Sequence, residues 1–132
     1  MRLVLDTNVL VASVAADGLC RDLVRVRLRP HAIITSEPLL RELRTVLRTK
    51  FKADPDELPL LSALSEQAEV VAPVRLGEHV CRDKDDDVVL ATAVAGEANA
   101  IVTGDADLLV LKKFRGIRIL SPRQFLELLD RR

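Results

Sequence analysis

The stretch LVLDTNVL, residues 3–10, sets a carboxylate against a run that otherwise reads as buried strand. Leu3, Val4 and Leu5 form a short continuous apolar segment, the pattern of a strand covered on both faces, and Asp6, Thr7 and Asn8 follow at its C-terminal end. An ionised Asp buried there without a partner would be costly. Two readings follow: Asp6 caps the helix that begins near Val9, or it faces a crevice where something positive meets it.

Outward from this stretch, short apolar runs alternate with helical periodicity along the whole chain. After the strand at 2–6 the spacing predicts helices at about 8–16 and 18–29, then a strand HAIIT at 31–35. EPLLRELRTVLRTK, with Pro38 in its first turn, is amphipathic helix; another helix is expected from Asp54 and Pro55 to about Ala68. EVVAP (69–73) reads as a short strand, CRDKDDD (81–87) as a polar loop and VVLATAVAGEA (88–98) as an apolar helix. The strand AIVT, the short helix ADLLVLKK and the strand IRIL follow, and a last helix opens with Ser121 as cap and Pro122 at its first position. The alternation predicts an α/β fold, a three-layer sandwich with a mainly parallel central sheet, spanning residues 1–132 as one domain. In such sheets ligands bind beyond the carboxyl ends of the strands.

Composition narrows the function classes. At 132 residues, with 48% apolar and 30% charged residues, the chain can bury a sizeable core and is neither disordered nor fibrous in type. No apolar run approaches 18 residues, and Asp6 and Asn8 interrupt what would otherwise resemble a signal peptide, so no membrane segment is expected. Cys20 and Cys81 are isolated, and His31 and His79 lack metal-ligand spacing, which argues against zinc and for two reduced thiols in a cytoplasmic protein. Net charge is zero but segregated: residues 1–52 carry ten basic and five acidic groups, residues 53–105 carry three and twelve, and the remainder seven and three. An acidic locality bordered by basic surface is expected.

Asp6 and Asp105 each end a strand, so if those strands are neighbours the two carboxylates share a crevice, with Gly104 allowing close backbone approach. In the helix after Ser36, with Leu39 at zero, the apolar arc runs from about −20° (Val46) to about 100° (Leu40), and the arginines lie at about 140° to 200°. Glu42 sits at about −60°, bordering the buried face, whereas Glu37 lies with the arginines. Asp87 opens the VVLATAVAG helix with Leu90, Ala91 and Val94 at i+3, i+4 and i+7; Asp83, Asp85 and Asp86 read as loop or capping residues, with Asp86 the alternative to Asp87. Two like charges about 4 Å apart repel by ~4 kcal/mol at an effective dielectric near 20, so clustered carboxylates must protonate, take a basic partner or bind a cation. Hard dications such as Mg²⁺ and Mn²⁺ suit carboxylate ligands.

LDTNVL, EPLLRELRTVL, DDDVVLATAVAGEANAIVTGD and the following ADLL resemble, in order and approximate spacing, the PIN domain family, especially its prokaryotic toxin-like members related to VapC. The resemblance covers nearly the whole chain. It implies a ribonuclease that hydrolyses RNA phosphodiester bonds with Mg²⁺ or Mn²⁺ held by Asp6, Glu42, Asp87 and Asp105, supported by Thr7, Asn8, Thr103 and Asp107. It further implies a homodimeric toxin neutralised by an antitoxin protein that brings a basic side chain to the acidic pocket. Arg21, Arg25, Arg44 and Arg48 could guide the nucleic-acid backbone, or simply form a solvated helix face. The main alternative is a catalytically inactive RNA- or protein-binding module of the same fold; the scarcity of aromatic residues, three Phe with no Tyr or Trp, counts against stacking-based binding. A phosphoryl-transfer domain is the other rival, but Asp6-Thr7-Asn8 lacks the second Asp of a DxD motif.

Overall fold

Five parallel strands and one antiparallel edge strand carry the architecture of the computed structural model, which describes every residue except 16, 17, 52, 53, 56, 57 and 132. The elements are β1 (Arg2–Leu5), α1 (Thr7–Ala15), α2 (Leu19–Asp22), β2 (Ala32–Thr35), α3 (Glu37–Phe51), α4 (Pro59–Gln67) and β3 (Glu69–Val70), then α5 (Lys84–Ala95), β4 (Ala100–Val102), α6 (Ala106–Leu109), β5 (Lys113–Phe114), β6 (Ile117–Leu120) and α7 (Pro122–Asp130). Helix α2 runs on into a wider π-helical stretch, Leu23–Arg27. The strand order is β3-β2-β1-β4-β6-β5, with only β5 antiparallel.

The apolar run at the start of the chain becomes the middle of this sheet. Successive side chains of a strand point to opposite faces, and β1 divides accordingly. Leu3 and Leu5 pack with Leu10, Leu43, Leu47, Leu64 and Phe125 on one side. Val4 packs with Ile34, Val89, Leu90, Ile101 and Leu108 on the other. Helices therefore cover both faces, as a parallel sheet requires. Helix α7 starts as anticipated at Ser121, whose hydroxyl accepts from the Gln124 N–H while the Gln124 side chain accepts from the Ser121 N–H.

Several boundaries differ from expectation. The polar run CRDKDDD is not all loop: α5 begins at Lys84, because the Asp83 carboxylate accepts from the Asp85 N–H and caps it. Helix α4 begins at Pro59 rather than at Asp54–Pro55, and positions 56 and 57 of the expected turn, like position 16 of the first expected helix, lie outside the described residues. Strand β3 is only two residues long, so residues 71–83 carry neither strand nor helix. The short β5 was not anticipated; it follows Lys112, folds back on β6 through Arg115 and Gly116, and all three of those residues hold positive φ. Gly104, in contrast, has no positive φ, and an added Cβ would lie 3.8 Å from Asn8 Oδ1, an ordinary contact, so the backbone there does not require glycine. Among the described residues no helix is long and apolar enough to cross a membrane.

Candidate metal centre

Strands β1 and β4 are direct neighbours, with Leu5 beside Val102, so the residues that follow them emerge together at the carboxyl edge of the sheet. Asp6 continues the ladder by donating its N–H to Val102 O at 3.0 Å, and its carbonyl accepts from Val9 N–H to start α1. The helix is thus opened by the Asp6 backbone, which leaves the carboxylate free for other partners. Its Oδ1 accepts from the Thr7 N–H (2.8 Å) and its Oδ2 from the Thr103 hydroxyl (2.7 Å), in a position only 6% exposed. Thr103 is fully buried and works in two directions, since its Oγ1 also accepts from the Asp105 N–H at 3.0 Å. One hydroxyl therefore ties the ends of both strands together.

Asp105 takes the Asp107 N–H on its Oδ1 at 2.8 Å, fixing the first turn of α6. Asn8, exposed at the rim, accepts from the Gly104 N–H through its Oδ1 at 3.2 Å. Glu42, half-buried on α3, faces Asp6 and receives a hydrogen bond from the Thr7 side chain.

The third carboxylate is not the one the sequence favoured. Asp87 points away, its Oδ1 accepting from the Cys81 N–H (2.7 Å) and its Oδ2 contacting the His79 ring (2.6 Å) and the Val80 N–H (3.2 Å). Asp86 instead meets Asp105 and Asp107, the carboxylate oxygens of the three lying within 4.8 Å of one another. Helical phase decides between neighbours. Because α5 starts three residues before Asp87, Asp86 stands over Val89, Leu90 and Ala93 at i+3, i+4 and i+7, which are 1%, 0% and 0% exposed. The stripe below Asp87 ends on the only half-buried Val94. An Asp83 cap placed three residues before Asp86 is the sequence signal that could have identified it.

Electrostatics mark the same group. Burial raises the Asp86 carboxyl to about 7, reinforced by the charge of Asp105, with which it makes a side-chain hydrogen bond, and by Asp6. Burial also raises Asp6, against the hydrogen bonds from Thr103 and Thr7. Glu42 is raised by burial first and then by Asp6. Like charges drawn together by the fold resist ionisation.

The sequence profile of the PIN domain family matches residues 2–107. The chain belongs to the PIN domain family. No curated protein matches it. Among solved structures, it is similar to a chain of VapBC2 from Rickettsia felis bound to a DNA fragment from their promoter, at 16% identity, with a TM-score of 0.63 over 90% of this chain and 97% of that one. At that identity the similarity is one of fold. The mixed, mainly parallel sheet with helices on both faces is the PIN arrangement, and this PIN domain carries its acids where β1, β4 and the first turn of α5 meet.

Arg21, one of the expected nucleic-acid guides, closes the end of α1, donating to Ser13 O at 3.2 Å and Val14 O at 3.1 Å. Arg25 and Arg48 remain exposed, and Arg44 is half-buried on α3.

Proposed function

We propose that this PIN domain is a ribonuclease dependent on Mg²⁺ or Mn²⁺, and the toxin of a toxin–antitoxin pair. The observation that carries the reading is the convergence of Asp6, Asp86 and Asp105, with Glu42 and Asp107 beside them, on one edge of the sheet. The donor set fits a hard dication: every group is a carboxylate oxygen, no His or Cys takes part, and three of the acids, Asp6, Glu42 and Asp86, are raised by burial first and then by acidic neighbours. Asp86 replaces Asp87 in the proposed ligand set. Bound there, the ion would supply Lewis-acid stabilisation of charge developing on a phosphodiester.

The chain's own residues hold and orient. Thr103 and the Thr7 amide fix both oxygens of Asp6, and the Thr7 side chain steadies Glu42. Asn8 commits its carbonyl to Gly104, which leaves its exposed amide group as a donor for a phosphate oxygen. Among the described residues no Ser–His or Cys–His pair stands in the acidic cluster, consistent with a reaction in which no side chain forms a covalent bond to phosphorus.

An antitoxin partner is supported by a separate feature. A groove of about 490 Å³ between the α2/π-helical region and α4 is floored by Leu10, Leu28, Ile33 and Leu64 and edged by Arg25 and Arg29, a surface suited to an apolar segment bearing acidic side chains. Choice of RNA over DNA rests on the family resemblance. The test is cleavage of end-labelled single-stranded RNA and DNA by the purified chain with Mg²⁺ or Mn²⁺: RNA cut with metal and intact in EDTA is the expected result. Cutting that persists in excess EDTA would exclude the metal, and RNA bound without cleavage would favour the inactive binding module.

A further inference from the structure

Asp87, excluded from the acidic cluster, has its carboxylate fully used on the other side of α5. It accepts the Cys81 N–H at 2.7 Å and the Val80 N–H at 3.2 Å, and meets His79 Nδ1 at 2.6 Å. The Cys81 thiol donates to it as well; burial, then the hydrogen bond to Asp87 and its charge, push that thiol up to about 12, so it stays protonated as a donor. Burial works against an ionised Asp87, yet the amides of Cys81 and Val80, with the Cys81 and His79 side chains, hold its carboxyl below the usual range. These contacts anchor the end of residues 71–83, a thirteen-residue segment without strand or helix.

The segment is anchored at the turn of α5 that most needs restraint. Asp83, Asp85, Asp86 and Asp87 crowd one helical turn, and the first turn of a helix frays most readily because its N–H groups lack helical partners. Asp86, in this turn, is buried and sits beside Asp105 and Asp107. Consecutive helical residues cannot move independently, so a turn held at Asp87 is a turn in which Asp86 cannot swing away.

We infer that Asp87 is a positioning residue: by clamping residues 79–81 against the first turn of α5, it holds the neighbouring Asp86 carboxylate toward Asp105 and Asp107, so that the metal meets a preformed set of ligands. The inference rests on the metal-site reading proposed above. Residues that orient ligands from outside typically change metal affinity or activity about 10- to 100-fold.

The test is a Mn²⁺ titration of the full chain, wild type, Asp87→Asn, His79→Gln and Asp86→Asn, followed by the electron paramagnetic resonance signal of free Mn²⁺, with amide hydrogen exchange at Val80 and Cys81. Asp87→Asn should lose protection at both amides and bind Mn²⁺ about tenfold or more weakly at unchanged stoichiometry, and RNA cleavage should be restored by proportionally more Mn²⁺. Weaker folding alone would weaken apparent binding only in proportion to the folded fraction, read by circular dichroism in the same samples, so a chain more than half folded would lose less than about twofold. His79→Gln, which keeps both amide bonds, should weaken binding about two- to fivefold and provides the test if Asp87→Asn does not fold. Wild-type affinity in folded Asp87→Asn, or in His79→Gln should that be the only folded variant, overturns the positioning role, while loss of binding in Asp86→Asn keeps the metal site. A wild-type chain that binds no Mn²⁺ overturns the metal site and the positioning role together.

Discussion

The two ends of the central sheet treat charge in opposite ways. At the amino edge, Arg2 opens β1 and its charge is matched: its guanidinium donates to Gly96 O at 2.8 and 2.9 Å and to Glu69 at 2.6 Å, and its N–H donates to Asn99. At the carboxyl edge, four residues further along the same strand, Asp6 is buried among Glu42, Asp86 and Asp105, which are all of its own sign. At one end Arg2 meets an opposite charge near solvent; at the other, like charges crowd together out of water. A fold selected for stability alone would not keep the second arrangement, since buried like charges cost free energy that packing elsewhere must offset. The asymmetry is the physical reason for the proposal that function lies at the carboxyl edge.

The contrast breaks first on activity. Asp6→Asn, Asp86→Asn and Asp105→Asn should each lower metal-dependent RNA cleavage by more than the 10- to 100-fold typical of an outer residue, whereas Glu37→Gln, exposed on α3, should cleave at the wild-type rate. Equal loss in Glu37→Gln would mean the assay reports folding rather than the acidic edge. Next in size is the response to metal in thermal melts. Mn²⁺ at a hundredfold excess over its dissociation constant should stabilise the native state by about 2.7 kcal/mol, several degrees in Tm for a domain of this length. Asp86→Asn should shrink that shift while leaving the metal-free protein as stable as wild type or more so. An undiminished shift would remove Asp86 from the site.

Stability against pH sharpens the comparison without any metal. Asp86 is raised to about 7 by burial and its acidic neighbours, and Asp6 and Glu42 are raised in the same direction. Between about pH 4 and pH 7 the folded chain therefore keeps protons that the unfolded chain has released. The stability these protons supply is fully present below about pH 4 and is lost as pH rises through about 7. In chelator, Tm should fall between pH 5 and pH 8, and Asp86→Asn should flatten the fall. A Tm that rises over that range would contradict the raised carboxyls. The smallest effect belongs to the other edge: Glu69→Gln removes an exposed ion pair, with side chains 39% and 53% exposed, and should change stability by less than about 1 kcal/mol and cleavage not at all. Differential melting beside the cleavage assay reads both.

Much of this was legible in one dimension because its physics is local. The short apolar runs at 3–5, 32–35 and 100–102 read as strands from their length and bounding residues, and the 3.6-residue period of EPLLRELRTVL separates Glu42 from Glu37 without knowledge of any neighbour. The alternation of such runs with amphipathic helices was enough for a mainly parallel sheet covered on both faces, which the structure bears out. Two acids ending two strands also follow from the sequence. Their meeting depends on β1 and β4 being neighbours, which is a matter of strand order.

What the tertiary structure alone decided turns on rotations and partners. Asp86 and Asp87 differ by about 100° around one helix, and which of them meets Asp105 depends on where the helix begins, on the Asp83 cap, and on residues 79–81 being close enough to take the other. The choice at Asp6 between cap and crevice was likewise open until Thr103, 97 positions away, supplied the hydroxyl that holds its carboxylate, while the Asp6 backbone opened the helix. Arg21 looked like a free cation and instead closes α1. By itself the sequence determined the periods, the ends of the strands and the excess of acid. Which carboxylate meets Asp105 and which turns to residues 79–81 was set by packing, because a side chain's environment is made by residues beyond its own helix.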